Sequence, residues 1–133
     1  MDLDTGRVAP LHRLLRSESP DLWFTADFNE DGWPDLYLAN DYGPEELFLN
    51  EEGRRFAPSA AGLESESKSG MTVSLGDAFN RGRLDVFVTN ITDDYMREGN
   101  FLWRNNGPGP DGKVTFSDVS RETGTHDTGW GWG

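Results

Sequence analysis

Nine residues, Asp27-Phe-Asn-Glu-Asp-Gly-Trp-Pro-Asp35, set oxygen-bearing side chains at alternate positions of a short stretch. Alternate positions of a tight loop point to one side, so Asp27, Asn29 and Asp31 are expected to converge. Calcium takes about six to eight oxygen ligands at roughly 2.3 to 2.6 Å, and this spacing supplies them. Gly32 permits the sharp bend that a Cβ would resist. The backbone carbonyl of Trp33 would then face the ion, and Asp35 would close the shell with both carboxylate oxygens. The expected cofactor is Ca2+. Three carboxylates offset the ion's charge, and Asn29 adds an oxygen without further repulsion.

An EF-hand loop shares this opening but needs an acidic ligand at its twelfth position. Counted from Asp27, that position is Leu38, inside an apolar run. The alternative is a metal-free turn in which Asp and Asn side chains cap their own backbone. A second loop, Asp77-Ala-Phe-Asn-Arg-Gly-Arg-Leu-Asp85, keeps the terminal carboxylates and the glycine but has Phe79 and Arg81 at the central positions. Here the Arg81 guanidinium is expected between Asp77 and Asp85 as an internal cation.

The two loops belong to a repeat, the first thing to seek in any chain. Asp27, Gly32, Asp35 and Asn40 recur 50 positions later as Asp77, Gly82, Asp85 and Asn90. Asp35-Leu-Tyr-Leu-Ala-Asn40 matches Asp85-Val-Phe-Val-Thr-Asn90, and both read as buried strands. Downstream, Leu47-Phe-Leu-Asn50 corresponds to Leu102-Trp-Arg-Asn105, Phe56 to Phe116 and Gly62 to Gly124. Each unit thus holds about four short strands, two of them forming a hairpin through Asn50-Glu-Glu-Gly53 or Asn105-Asn-Gly107.

The expected fold is all-β, with about two four-stranded antiparallel propeller-type blades and no closed ring. The expected organisation is an N-terminal extension or remnant of a preceding blade over 1–20, and a blade with the calcium loop over 21–70. A blade with a degenerate loop spans 71–128, and 129–133 starts a third unit. Two blades leave sheet edges uncovered. The chain therefore reads as part of a larger exported protein, or as a possible homo-oligomer that completes itself by association.

Composition narrows the function. The 133 residues carry 12 Lys and Arg against 24 Asp and Glu, a formal charge of −12, which disfavours nucleic acid as a partner and favours divalent cations. The absence of cysteine excludes disulfides, thiol catalysis and cysteine-ligated zinc. No apolar run approaches the ~20 residues of a membrane span, and the N-terminus is not a signal peptide. Other candidates take the plainer reading. His126-Asp127 could pair as a base and its orienting carboxylate, but a surface pair is expected and no catalytic residue is assigned. Trp23, Trp33, Trp103, Trp130 and Trp132 are expected to pack between sheets. Asp93-Asp94 lies in a solvated loop from Ile91 to Asn100, and Asp111-Gly112 marks a turn.

Three stretches carry a resemblance: Ala26-Asp-Phe-Asn-Glu-Asp-Gly-Trp-Pro-Asp-Leu-Tyr-Leu-Ala-Asn40, Leu47-Phe-Leu-Asn50 and Phe116-Ser-Asp-Val-Ser120. Together they resemble the FG-GAP/VCBS repeats, the blades of integrin-α-like propellers. The likeness is closest to bacterial proteins similar to cartilage acidic protein. Gly129-Trp-Gly-Trp-Gly133 resembles the approach to a further calcium loop. The resemblance implies metal ligation by Asp27, Asn29, Asp31, the Trp33 carbonyl and Asp35. It implies a non-catalytic module that binds a protein or carbohydrate ligand, in an extracellular, cell-surface or periplasmic setting. An alternative is the accessory scaffold of a polysaccharide-active enzyme.

Overall fold

The computed structural model describes residues 22–40, 43–63, 66–67, 70, 72–94, 96–129 and 131. Eight strands form two four-stranded antiparallel sheets. The first contains β1 (Leu22–Ala26), β2 (Asp35–Ala39), β4 (Glu46–Asn50) and β5 (Phe56–Ser59), in that spatial order. The second contains β7 (Thr72–Gly76), β8 (Asp85–Thr89), β11 (Phe101–Pro108) and β12 (Val114–Asp118), also in that order. Each is a meander in which neighbours in sequence are neighbours in space. Two-residue strands β3 (Gly43–Pro44) and β6 (Glu66–Ser67) pair with each other, as do β9 (Thr92–Asp93) and β10 (Met96–Arg97).

The 50-residue offset survives in the register. Phe24 faces Tyr37 in the first sheet as Ser74 faces Phe87 in the second, and Ala26 faces Asp35 as Gly76 faces Asp85. Side chains alternate between faces along a strand, so each sheet has two distinct faces. On the first, Tyr37 and Leu47 lie on one side, and Leu36, Leu38, Phe48 and Phe56 on the other. The repeat counterparts of that second group are Val86, Val88, Trp103 and Phe116. All four join the core cluster that contains Tyr37 and Leu47. The sheets therefore stack front to back: one blade's front packs on the next blade's back. This is how a repeat propagates one way around a propeller. Phe28, at the head of the first loop, seals the seam by meeting Phe116 edge-on at 5.8 Å between ring centroids.

Three expectations change here. The second hairpin does not turn at Asn105-Asn-Gly107, because β11 runs on to Pro108 with a register shift after Asn105. The Asn105 Oδ1 accepts the Gly107 N–H at 2.8 Å and satisfies the backbone of the bend, so the strand survives it. The turn falls at residues 109–113, where Asp111-Gly112 signalled one. The segment from Ile91 to Asn100 is not a plain solvated loop, since it holds the β9–β10 hairpin. Of the tryptophans, Trp103 is buried as expected, but Trp23 is 58 % and Trp33 is 42 % exposed. Trp23 alternates onto the outer side of edge strand β1, and Trp33 caps the loop with its ring over Gly53. Trp130, Trp132, the 1–20 segment and most of the expected third unit lie outside the described residues.

After β12 a four-residue helix, α1 (Ser120–Thr123), ends at Gly124 in the left-handed conformation. The chain then lies along the 90–100 segment. Asn100 N–H donates to the His126 carbonyl at 2.8 Å and Thr92 N–H to the Gly129 carbonyl at 2.9 Å. Gly99 adopts φ +76°, and a Cβ there would stand 2.0 Å from the His126 ring. Gly99→Ala is therefore expected to lower unfolding stability by about 2 kcal/mol through backbone strain and ring displacement. Urea denaturation measures it, and an unchanged midpoint would show that His126 yields freely.

Candidate metal centre

Both loops are built on one hydrogen-bond frame. Asp27 accepts the N–H groups of Asp31 and Gly32 at 3.1 and 2.8 Å, and Asp77 accepts those of Arg81 and Gly82 at 2.8 and 2.6 Å. At the far end, Asp35 accepts Phe28 N–H on Oδ2 and Asn50 N–H on Oδ1, each at 2.9 Å. Asp85 accepts Ala78 N–H at 3.1 Å and Asn105 N–H at 2.8 Å in the same way. Glu30 and Asn80 occupy matching left-handed positions, as do Gly32 and Gly82. A Cβ on Gly32 would meet nothing within 4 Å, so its backbone conformation, not crowding, calls for glycine there.

Asn50 and Asn105 complete the frame. Each donates its side-chain amide to the carbonyl just before the loop's last aspartate, Pro34 at 2.9 Å or Leu84 at 3.3 Å. Asn105 also reaches across to the Phe28 carbonyl at 3.0 Å, tying the second blade to the first loop. Their recurrence at the same place in both units was the signal for this clamp. Sequence reasoning used it only to align the hairpins.

The shared carboxylates are thus occupied with backbone in both loops, and the difference lies at the centre. In the second loop, Arg81 donates to Asp85 Oδ1 at 2.8 Å and to the Asn105 carbonyl at 3.0 Å. The expected pairing is therefore with Asp85, while Asp77 receives the Arg81 backbone instead. The N–H groups of Arg81 and Gly82 hold the Asp77 carboxyl below its ordinary range.

The first loop has no such cation. Residues 27–35 hold four acids and no base, whereas 77–85 balance two acids with two arginines. Burial pushes the Asp35 carboxyl up; the Asn50 and Phe28 N–H groups oppose this, and the Asp31 charge adds to it. Asn29 is 7 % exposed; its Nδ2 donates to Asp31 Oδ2 at 2.9 Å and to the Gly112 carbonyl at 3.2 Å. Its Oδ1 is buried with no donor. Asp31 Oδ1 accepts the Trp33 N–H at 2.9 Å. Among the described residues, no three Asp, Glu or His groups stand close enough to cage a metal by themselves. The donor set fits a hard cation nonetheless: surplus carboxylate charge, and a buried amide oxygen lacking the partner that such atoms normally have.

Residues 27–88 match the model of the FG-GAP-like repeat family. This segment is an FG-GAP-like repeat. It takes in the first loop, strands β2 to β7 and the second loop through Val88 in β8, and the front-to-back stacking agrees with the propeller-type module that FG-GAP repeats build. FG-GAP repeats are in general non-catalytic, protein-binding modules of extracellular or surface proteins. No helix among the described residues is long and apolar enough to cross a membrane. No curated protein matches the chain.

His126 meets a group that sequence spacing did not select: its Nδ1 is 3.3 Å from the Ser120 Oγ. Ser120 is fully buried, and Asp127 turns instead to the Gly129 N–H at 3.2 Å. The three do not form a relay, and the contact serves to dock the segment after α1.

Proposed function

We propose that the chain is a calcium-stabilised FG-GAP module that presents its loop end to a protein or carbohydrate ligand outside the cell. The observation that carries the calcium reading is the donorless, buried Oδ1 of Asn29 in a loop with four acids and no base of its own, of which Glu30 pairs with Arg83 of the second loop. Asp27, Asn29, Asp31, the Trp33 carbonyl and Asp35 would hold the ion, and the ion would supply the positive charge that Arg81 supplies in the second loop. The oxygens of Asp27, Asp31 and Asp35 already accept N–H groups, so the donorless Oδ1 of Asn29 is the ligand atom that gains most from the ion. No step of chemistry is assigned to these residues; their work is to fix the bend between β1 and β2.

Thermal melting with calcium and with chelator tests this. A ligand that binds only the folded state adds RT ln(1 + [L]/Kd), about 2.7 kcal/mol at 100 Kd. A clear rise in melting temperature is expected, absent in Asp31→Ala, with one bound ion per chain by calorimetry. A second site of equal affinity, or no rise at all, would overturn the reading. Carbohydrate as the ligand class is favoured by the exposed indoles of Trp23 and Trp33, since aromatic faces stack on sugars.

A further inference from the structure

At the end of each sheet away from the loops, the two units tie down their outgoing chain in matching places. Gly62 and Gly124, at φ +77° and +72°, turn the chain out of each sheet. Five residues on, Ser67 pairs with Gly43, and the Gly129 carbonyl accepts the Thr92 N–H at 2.9 Å. In the second unit the tie is the fully buried Asn100. Its Oδ1 accepts the Asn90 N–H at 2.8 Å, and its Nδ2 donates to the Thr125 carbonyl at 3.0 Å and to Thr128 Oγ1 at 2.8 Å. Glu45 holds the same place in the first unit. It and Asn100 each stand two residues before the matching Leu47 and Leu102, and Asn40 answers Asn90. The Asn40 N–H faces the Glu45 carboxyl as the Asn90 N–H faces Asn100. Leu63, one past the glycine, answers Thr125. To hold the Leu63 carbonyl as Asn100 holds that of Thr125, Glu45 needs a donor, which a carboxylate lacks and a neutral carboxyl has. Both Glu45 oxygens are buried and unpartnered.

We propose that Glu45 is a proton-held latch at the junction between the blades: its neutral carboxyl donates to the Leu63 carbonyl as the Asn100 amide does to Thr125, and loss of the proton releases Leu63 and the β3–β6 pair after it. Asn100 has no proton to lose at these pH values, so the second junction is fixed and the first responds to pH. The titratable group facing Glu45 is Tyr37 of β2, which stays neutral because burial and Glu45 push it well above its usual range. Glu46 alternates to the other face of β4, opposite Leu38. Glu66 of β6 stands opposite Pro44 in the backbone register. With no cation acting on it, and with burial the largest influence, the Glu45 carboxyl is pushed up to about 8.

Nuclear magnetic resonance of the full chain from pH 5 to 9.5 tests this. The Asn40 amide shift reports ionisation of Glu45, with an expected midpoint near pH 8. Hydrogen-exchange protection factors, which remove the intrinsic pH dependence of exchange, report the latch. Protection between residues 62 and 67 is expected to fall about three- to tenfold from pH 6 to pH 9, the effect of losing one hydrogen bond. Protection at 125–129 should not change. Glu45→Gln keeps a donor at every pH and should hold 62–67 protected throughout. Asn100→Asp, a change of the same shape, should transfer the pH-dependent loss to 125–129. Four outcomes would overturn the latch: no Asn40 transition in this range; a transition with flat protection at 62–67; a Glu45→Gln chain that loosens like the native one; or an Asn100→Asp chain with native protection at 125–129 at pH 9.

Discussion

Asp85→Ala is expected to destabilise the protein by about 4 kcal/mol, far more than the equivalent loss of Asp77. Asp85 is 1 % exposed and accepts three donors: Ala78 N–H, Asn105 N–H and the Arg81 guanidinium. Truncation strands two N–H groups, at roughly 1 to 3 kcal/mol for each one left unsatisfied, and breaks an ion pair whose acid lies in the core. The Arg81 guanidinium, 30 % exposed, recovers some of its loss in water. Asp77 sits at the solvent-facing mouth, so the two N–H groups it frees are rehydrated and Asp77→Ala should cost far less. Urea melts of the two variants separate these cases. Equal losses would show that the buried clamp at Asp85 and Asn105 does not hold the loop.

Glu45→Gln is expected to act in the opposite sense, raising stability by about 3 kcal/mol at pH 7. Glu45 is 4 % exposed between β3 and β4, and its carboxyl faces the Tyr37 hydroxyl and the Asn40 backbone without a hydrogen bond of good geometry. Burial pushes its pKa up to about 8, against 4.5 for a free glutamate, and the flanking groups only partly oppose this. The folded state therefore holds a proton that the unfolded state has released between about pH 4.5 and 8. Native stability falls as pH rises through that window and levels off above it. Glutamine has no proton to lose, so the variant and the native chain should match near pH 4 and diverge steadily towards pH 8. Melting temperature against pH measures it, and parallel curves would mean that Glu45 ionises freely in the fold. Tyr37, also buried and beside Glu45, is pushed well above its usual range and stays neutral throughout this window.

The sequence by itself determined the repeat, the strand pattern of each unit and the positions of both loops. These depend on local rules that a linear chain displays: period-two apolar runs, glycines at left-handed bends, and aspartates spaced to cap a turn. The difference in charge between the loops is also visible without coordinates, since Arg81 stands where Asp31 does in the first. Only tertiary structure decided what Asp35 and Asp85 grip, because Asn50 and Asn105 arrive from the neighbouring strand of the sheet, 15 and 20 residues along the chain. The same holds for the contact of Asn29 with Gly112 and for the buried carboxyl of Glu45, which reads in sequence as one more surface acid. It likewise moved the second hairpin turn from Asn105–Gly107 to 109–113, where a side-chain bond to the backbone let a strand pass through a turn signal. The physical reason is common to all of these: capping and periodicity are short-range, whereas burial and partner choice depend on which distant residues the stacked sheets bring together.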